Sequence, residues 1–331
     1  MYVARMYVAR MYVARKGKIH MRIVFFGSAH FAVPALEALI KSEHEVLCVV
    51  TQPDKHKGRH LHVSATDVKS TALTAKLKIY QPENIKSKES VKFLQSLEAD
   101  LFVIVAYGQI FSQEVLDIPK IMPINIHASL LPRYRGAAPI NWAIVNGDKK
   151  SGVSIMFVTL KMDSGPVITQ KEIKIEDKDT AVTQEEKLCL TGAALLIDAL
   201  KIIENRDYRL IDQDEDKVVI APKLKKADGL IDWDAPAAAI HNQIRGLVPW
   251  PGTFTRYRGK MLKILQVDVL PIFPNHKPVP GEVLRADKKG IVVACGRGFL
   301  AIKELQLEAG KRMNAQSLIV GHKLTVGEIL K

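Results

Sequence analysis

The stretch LFVIVAYGQIFSQEVLDIPKIMPINIH, residues 101–127, decides the fold. It opens on LFVIVAYG (101–108), an apolar run of strand length, and closes on a second, PINIH (123–127). Short runs without polar alternation read as strands buried on both faces, the habit of a parallel sheet covered by helices. Upstream, RIVFF (22–26) stops at Gly27 and VLCVVTQ (46–52) forms another such run. Between them FAVPALEALIKS is helical, with Pro34 tolerated in the first turn. Helical patterns near 65–77 and 88–98 flank a short strand near 78–81. Downstream, SGVSIMFVT and GPVITQKEIKI read as strands, and TQEEKLCLTGAALLIDALKIIE as a long amphipathic helix. Strands alternating with helices predict an α/β domain.

The pattern changes after residue 206. DYRLIDQDEDKVVIAPKLKKADG, 207–229, is charged and irregular and reads as a linker. Beyond it TFTRYRG, KMLKILQVDVL, PGEVLRAD, GIVVAC and GFLAIKELQL are short strands punctuated by Gly and Pro. Their close spacing predicts a small β-barrel of oligonucleotide-binding type over 230–331. Residues 1–20 stand apart. MYVAR occurs three times in succession, a five-residue period that suits neither helix nor strand. The repeat reads as a duplicated or over-extended start, and the fold is expected to begin at Met21.

No apolar run approaches the roughly 20 residues that span a bilayer, so no membrane is expected. Cys48, Cys189 and Cys295 are far apart, which argues against a disulfide framework or a zinc site. The net charge is +13. Residues 21–209 are nearly neutral, with 24 basic and 22 acidic side chains, whereas 210–331 carry 19 and 13. A basic C-terminal third suits a polyanionic partner, and equally a basic protein with none. The first strand-to-helix turn, GSAHFA (27–32), has one glycine where a dinucleotide fingerprint needs three. Gly27 there serves a tight turn.

Chemistry concentrates in PINIHASLLPRYRGAAPINWAI, 123–144. Asn125 and His127 flank one residue at a strand end, so alternation points both side chains to one face. At the C-terminal edge of a parallel sheet that face opens on the crevice where ligands bind. An amide donor beside an imidazole suits an oxygen gaining charge and a moving proton. On spacing alone, a capped strand end with a satisfied histidine is the commoner arrangement. KMDSGPVI adds Asp163 before a Ser-Gly turn, either an ordinary turn residue or a carboxylate that orients His127.

NIHASLLPRYRGAAPI (125–140) resembles the signature of the folate-dependent formyltransferases, in which Asn, His and a distant Asp form the site. The similarity runs through VTQPDK, IYQPENIK, GLIDWDAPAAAIHNQIRG and PWPG and covers essentially 21–331. It is greatest to the branch acting on methionyl-tRNA. The resemblance implies a Rossmann-like catalytic domain over 21–206 and an OB-like tRNA-binding domain over 230–331. It implies transfer of a formyl group from 10-formyltetrahydrofolate to the amino group of methionyl-initiator tRNA, without a metal. Asn125 and His127 would hold the formyl oxygen, and Asp163 would orient His127 and help take the amine proton. Ser129, Leu130, Leu131 and Pro132, with Tyr107 and Gly108, would line the folate pocket. Lys55, Lys57 and Arg59 would meet the acceptor stem.

Two places depart from the family pattern. His60, Leu61 and His62 replace a Gly-Lys-Lys type stretch, and Ser28-Ala29-His30 replaces Thr-Pro followed by Asp or Glu. A monomer in a bacterial cytoplasm is expected, with an organelle matrix as the alternative. Competing readings on the same scaffold are an amino-sugar nucleotide formyltransferase and a 10-formyltetrahydrofolate hydrolase. A competitor of another class is a non-catalytic RNA-binding protein.

Overall fold

The computed structural model describes residues 20–57, 62–271, 278–322 and 324–331. Two compact units emerge. One comprises the described residues up to Gly136 together with Ser151–Ile173 and Glu185–Ile220; the other comprises Ala137–Lys150, Lys174–Gln184 and Ala221–Lys331.

The first unit is built on a seven-stranded sheet. Its strands are β1 (Arg22–Gly27), β2 (Glu45–Val50), β5 (Ile79–Tyr80), β6 (Leu101–Val105), β7 (Met122–His127), β8 (Lys150–Phe157) and β9 (Val167–Lys174). Between β2 and β5 a small ladder pairs β3 (Lys55–Lys57) with β4 (His62–Ser64). The sheet order is β9-β8-β7-β6-β1-β2-β5. From β5 through β7 the pairings are parallel, as the apolar runs predict; β8 runs antiparallel to β7. Val24, Phe26, Cys48, Val50, Phe102 and Ile104 pack together on one face of the parallel strands. The alternate residues Ile23, Phe25, Val49 and Val103 are fully buried too. Burial on both faces is why these strands show no polar alternation. Helices α1 (Val33–Ile40), α2 (Asp67–Thr74), α3 (Lys88–Ser96) and a short α4 (Gln113–Leu116) lie in the connections. Thr66, Ser87 and Ser112 cap α2, α3 and α4 by accepting from backbone N–H groups in the first turn.

Chain order and sheet order reverse at β1: β2 lies on one side of it and β6 on the other. Open α/β sheets bind ligands beyond the strand ends at such a point. The segments that follow β1, β6 and β7 therefore leave the sheet at adjacent C-terminal edges.

In the second unit α5 (Pro139–Val145) packs against α7 (Ala237–Gly246), where Asn141 Nδ2 donates to the Gly246 carbonyl at 2.8 Å. The long helix α6 (Ala181–Glu204) belongs to the first unit from Glu185 onward, and there its Gly192 lies against Ile126 and Val153 of that unit's own sheet. A six-stranded antiparallel sheet spans Thr253 to Asn314, with a core that includes Trp233, Ile240, Leu262, Val283, Leu300 and Leu318. The Trp233 indole N–H donates to Thr255 Oγ1 at 2.9 Å, satisfying its one polar atom inside that core.

Residues 207–229, which read as a linker, divide between the units at Ile220 and Ala221. Ile211 pairs with Val167, and the Val219 carbonyl accepts from Arg135 N at 2.9 Å. These contacts are backbone bonds, which leave no periodic mark in a charged sequence.

Gly165 approaches the Phe157 carbonyl so closely that a Cβ would overlap it, with the Phe157 carbonyl carbon only 2.9 Å away. Gly165→Ala is expected to lower the unfolding free energy by about 1–3 kcal/mol. Urea unfolding of the full chain checks this, and an unchanged midpoint would contradict the close approach.

Candidate active site

Asn125 and His127 stand two residues apart on β7 and so share a face. His127 is 6% exposed. Its Nε2 lies 2.9 Å from the Tyr134 carbonyl oxygen, and a carbonyl only accepts, so Nε2 carries a proton and donates. That leaves Nδ1 facing Asp163, whose Oδ2 is 3.7 Å away. The gap is too long for a direct hydrogen bond and leaves Nδ1 open to a reacting group. Asp163 Oδ2 accepts from Gly136 N at 2.9 Å. Asp163 itself has φ of +49°, a left-handed turn conformation that short polar side chains tolerate better than most. No hydrogen bond reaches the Asn125 carboxamide from the described residues. Its N–H groups remain available to a ligand.

The loop that returns the Tyr134 carbonyl to His127 is pinned from the neighbouring strands. Ser154 Oγ donates to the Ser129 carbonyl at 2.6 Å and accepts from Leu131 N at 3.1 Å. Gln170 Nε2 donates to the Leu131 carbonyl at 2.9 Å and to Ser154 Oγ at 2.8 Å. Ser129 Oγ donates to the Arg133 carbonyl at 2.6 Å. Ser129 is thus a loop-shaping residue here. Leu130, Leu131 and Pro132 line a cavity of about 430 Å³ together with Arg133 and Asp216 to Val219.

Tyr107 and Gly108 follow β6. The Tyr107 ring is buried against Phe26 and Phe111, with centroids 5.6 and 5.7 Å away, and burial raises its phenol pKa. Its carbonyl accepts from Ser28 Oγ at 3.1 Å and Gln52 Nε2 at 2.9 Å. The departure at Ser28 therefore keeps a hydroxyl that ties the turn after β1 to the turn after β6. Gly108 has φ of +86°, and a Cβ there would meet Gln52 Nε2 at 2.5 Å.

Lys55 and Lys57 lie on β3, and Arg59 falls outside the described residues. The base of that hairpin is anchored by Asp54, which accepts from Lys69 Nζ at 2.6 Å and Gln81 Nε2 at 2.8 Å. These two hydrogen bonds lower the Asp54 pKa. Among the described residues no cluster of His, Cys, Asp and Glu could hold a metal ion, and no helix is long and apolar enough to cross a membrane. The three cysteines are free and buried; burial pushes the Cys48 thiol up to about 11 and the Cys295 thiol to about 12.

Sequence reasoning missed the groups that hold the trio in place. Arg135 is 3% exposed, and its guanidinium donates to Gln213 Oε1 and Glu215 Oε1, both at 2.8 Å. RYRG signals a ligand-facing loop, and nothing in it shows that Arg135 turns inward to protein acceptors.

This arrangement of a strand-borne amide and imidazole with a turn carboxylate sits on a formyltransferase scaffold. Residues 21–200 match the formyl transferase family and residues 223–323 its C-terminal domain. The chain belongs to that family, among the methionyl-tRNA formyltransferases. The methionyl-tRNA formyltransferase of Acetivibrio thermocellus is 44% identical over 310 residues, 94% of this chain and 99% of the relative. That of Caldanaerobacter subterraneus subsp. tengcongensis is 43% identical over 312 residues, 94% and 100% of the two chains. Among solved structures, the fold is shared with a sugar 3N-formyltransferase crystallised with dTDP and 5-N-formyl-THF, at 19% identity and TM-score 0.64 over 89% of this chain and 99% of that one. It is shared too with HypX of Aquifex aeolicus in complex with tetrahydrofolic acid, at 17% identity and TM-score 0.61 over 92% of this chain and 47% of that one.

Glu215 provides a pH-dependent prediction. Hydrogen bonds from Arg135 and then Lys161 pull its pKa from 4.5 down to about 2. A depressed carboxylate contributes stability above its unfolded pKa and loses it as pH falls towards the folded one. Glu215→Gln is therefore expected to be less stable than the parent at neutral pH, with the difference closing between about pH 4.5 and 2. Glu215 is exposed, so solvent screens part of the effect. Urea midpoints across that range check it; a difference that widens in acid would overturn the assignment.

Proposed function

We propose that Asn125, His127 and Asp163 carry the transfer of a formyl group from 10-formyltetrahydrofolate to the amino group of methionyl-initiator tRNA, giving N-formylmethionyl-tRNA for translation initiation. The observation that supports it most is the convergence of the three side chains, with Nδ1 of His127 facing Asp163 Oδ2 at 3.7 Å beside a free Asn125 amide. The co-substrate supplies an activated formyl carbonyl. Leu130, Leu131 and Pro132 offer it an apolar wall in their 430 Å³ cavity, and the turn at Tyr107 and Gly108 offers backbone at the sheet edge.

A free α-amino group has a pKa of about 7.7–8.0, and an aminoacyl ester lowers it further. The nucleophile is thus largely neutral near pH 7, and no strong base is required. The amine attacks the formyl carbon, the bond from that carbon to the folate nitrogen breaks, and the amine proton passes to that departing nitrogen. The protein must position the groups, stabilise an oxygen that gains negative charge, and relay the proton. Asn125 donates its amide N–H to that oxygen. With Nε2 donating to the Tyr134 carbonyl, the neutral His127 ring presents an unprotonated Nδ1 that takes up the amine proton, and only once so protonated does it donate towards the oxygen. Asp163 faces Nδ1 across 3.7 Å and offers a carboxylate on the proton's path.

On the tRNA side, Lys55, Lys57 and Arg59 are proposed to meet acceptor-stem phosphates. Arg256 and Lys263 project outward from the antiparallel sheet of 230–331, which is proposed as the second contact surface. The working form is proposed as a monomer in a bacterial cytoplasm, since the relatives come from bacteria.

Alanine at Asn125, His127 or Asp163 is expected to lower kcat by about 10²–10³-fold, the usual cost of one oxyanion-site donor. The assay offers Met-initiator tRNA, Met-elongator tRNA, an amino-sugar nucleotide and water as acceptors of the formyl group. Preference for the initiator and loss in all three variants is the expected result. Transfer only to the sugar, hydrolysis alone, or full activity in the variants would overturn the reading.

A further inference from the structure

Segment 207–229 is charged and irregular, yet two of its side chains reach back to the turn that carries Asp163. Gln213 Nε2 donates to the Asp163 carbonyl at 2.9 Å and to the Gly165 carbonyl at 2.7 Å. One carboxamide thus grips both sides of a turn that opens on Asp163, with its φ of +49°. Gln213 Oε1 is occupied in turn by Arg135 Nε at 2.8 Å, which fixes the amide so that its N–H groups point at those carbonyls. Glu215 closes a second loop, accepting from Arg135 at 2.8 Å and from Lys161 Nζ at 3.0 Å. Lys161 lies two residues before Asp163. Next to Arg135, Gly136 N donates to the Asp163 carboxylate itself.

We propose that Gln213, held by Arg135, is a positioning residue that sets Asp163 opposite His127 Nδ1. The assignment deepens the proposed function and rests on its reading of Asp163. The physical case is one of degrees of freedom. Asp163 accepts only one hydrogen bond from the described residues through its carboxylate, from Gly136. Inside the turn Ser164 N and Oγ and Thr159 Oγ1 all donate to the Lys161 carbonyl, which leaves the Asp163 and Gly165 carbonyls their own freedom to rotate. Two bonds from a single planar amide to carbonyls on either side of Ser164 remove that freedom. The 3.7 Å spacing to His127 is what such a clamp would hold, and a misplacement of about 1 Å can cost 10²-fold in rate. Arg135 is the inner anchor: its buried guanidinium needs acceptors, and Gln213 and Glu215 supply them.

The test is kinetic and uses the full-length chain. Gln213→Glu keeps size and the acceptor for Arg135, but a carboxylate cannot donate to either carbonyl and repels both. Gln213→Ala removes the clamp without the repulsion and serves if Gln213→Glu fails to fold. Formyl transfer to Met-initiator tRNA is measured for each, alone and combined with Asp163→Asn, with enzyme concentration corrected for the folded fraction. The expected result is a kcat lowered about tenfold or more, with KM for both substrates within about twofold. In the Asp163→Asn background the same change should cost little, because Gln213 acts through Asp163.

If Asp163→Asn alone leaves kcat intact, the reading of the site fails, and this inference with it. If Asp163→Asn collapses kcat while both Gln213 variants keep theirs, the inference fails and the site stands. A Gln213 penalty that persists undiminished in the Asp163→Asn background would also overturn the positioning role.

Discussion

The ring of His127 is held between two oxygens that ask different things of it. On one side the Tyr134 carbonyl can only accept, so it takes the proton of Nε2. On the other the Asp163 carboxylate faces Nδ1 across 3.7 Å. This pairing leaves Nδ1 as the nitrogen available to the proposed chemistry, and the local architecture answers to it. The Tyr134 carbonyl returns to the ring only because loop 128–134 doubles back, and that loop is shaped by Ser129, Ser154 and Gln170. Asp163 sits in a tight turn that has Gly165 against the Phe157 backbone and accepts from Gln213 at the Asp163 and Gly165 carbonyls.

A common device recurs at the C-terminal edge of the sheet. Three segments there are each held by a side-chain amide that donates to backbone carbonyls. Gln52 holds Tyr107, Gln170 holds Leu131, and Gln213 holds Asp163 and Gly165. A carboxamide suits this work because it donates two N–H groups, has an acceptor to spare, and brings no charge whose desolvation must be offset. Loops carry function when a rigid scaffold positions them, and here the scaffold reaches into the loops through neutral hydrogen bonds.

The strands were legible in the sequence because burial on both faces leaves unbroken apolar runs such as RIVFF and LFVIV. The reversal at β8 was not, since an apolar run reads the same in a parallel or an antiparallel pair. Asn125 and His127 were legible as a pair from strand alternation, whereas joining Asp163 to them took the resemblance to the family. The supporting residues left no signal. Arg135 carries no mark in the RYRG stretch that it turns inward, and Gln213 sits in a segment with linker composition. Their roles lie in bonds to groups far away in the chain, from Gln213 to the Asp163 carbonyl for example, and composition and periodicity carry no trace of such bonds.

The most direct test of this account is the protonation state of the His127 ring, read by nitrogen NMR of the labelled full-length chain with a His127→Gln variant to assign the signal. At a pH where the ring is neutral, the account predicts a proton on Nε2 and none on Nδ1. A neutral ring protonated at Nδ1 instead would contradict it, because Tyr134 would then hold nothing and the nitrogen facing Asp163 would be the wrong one.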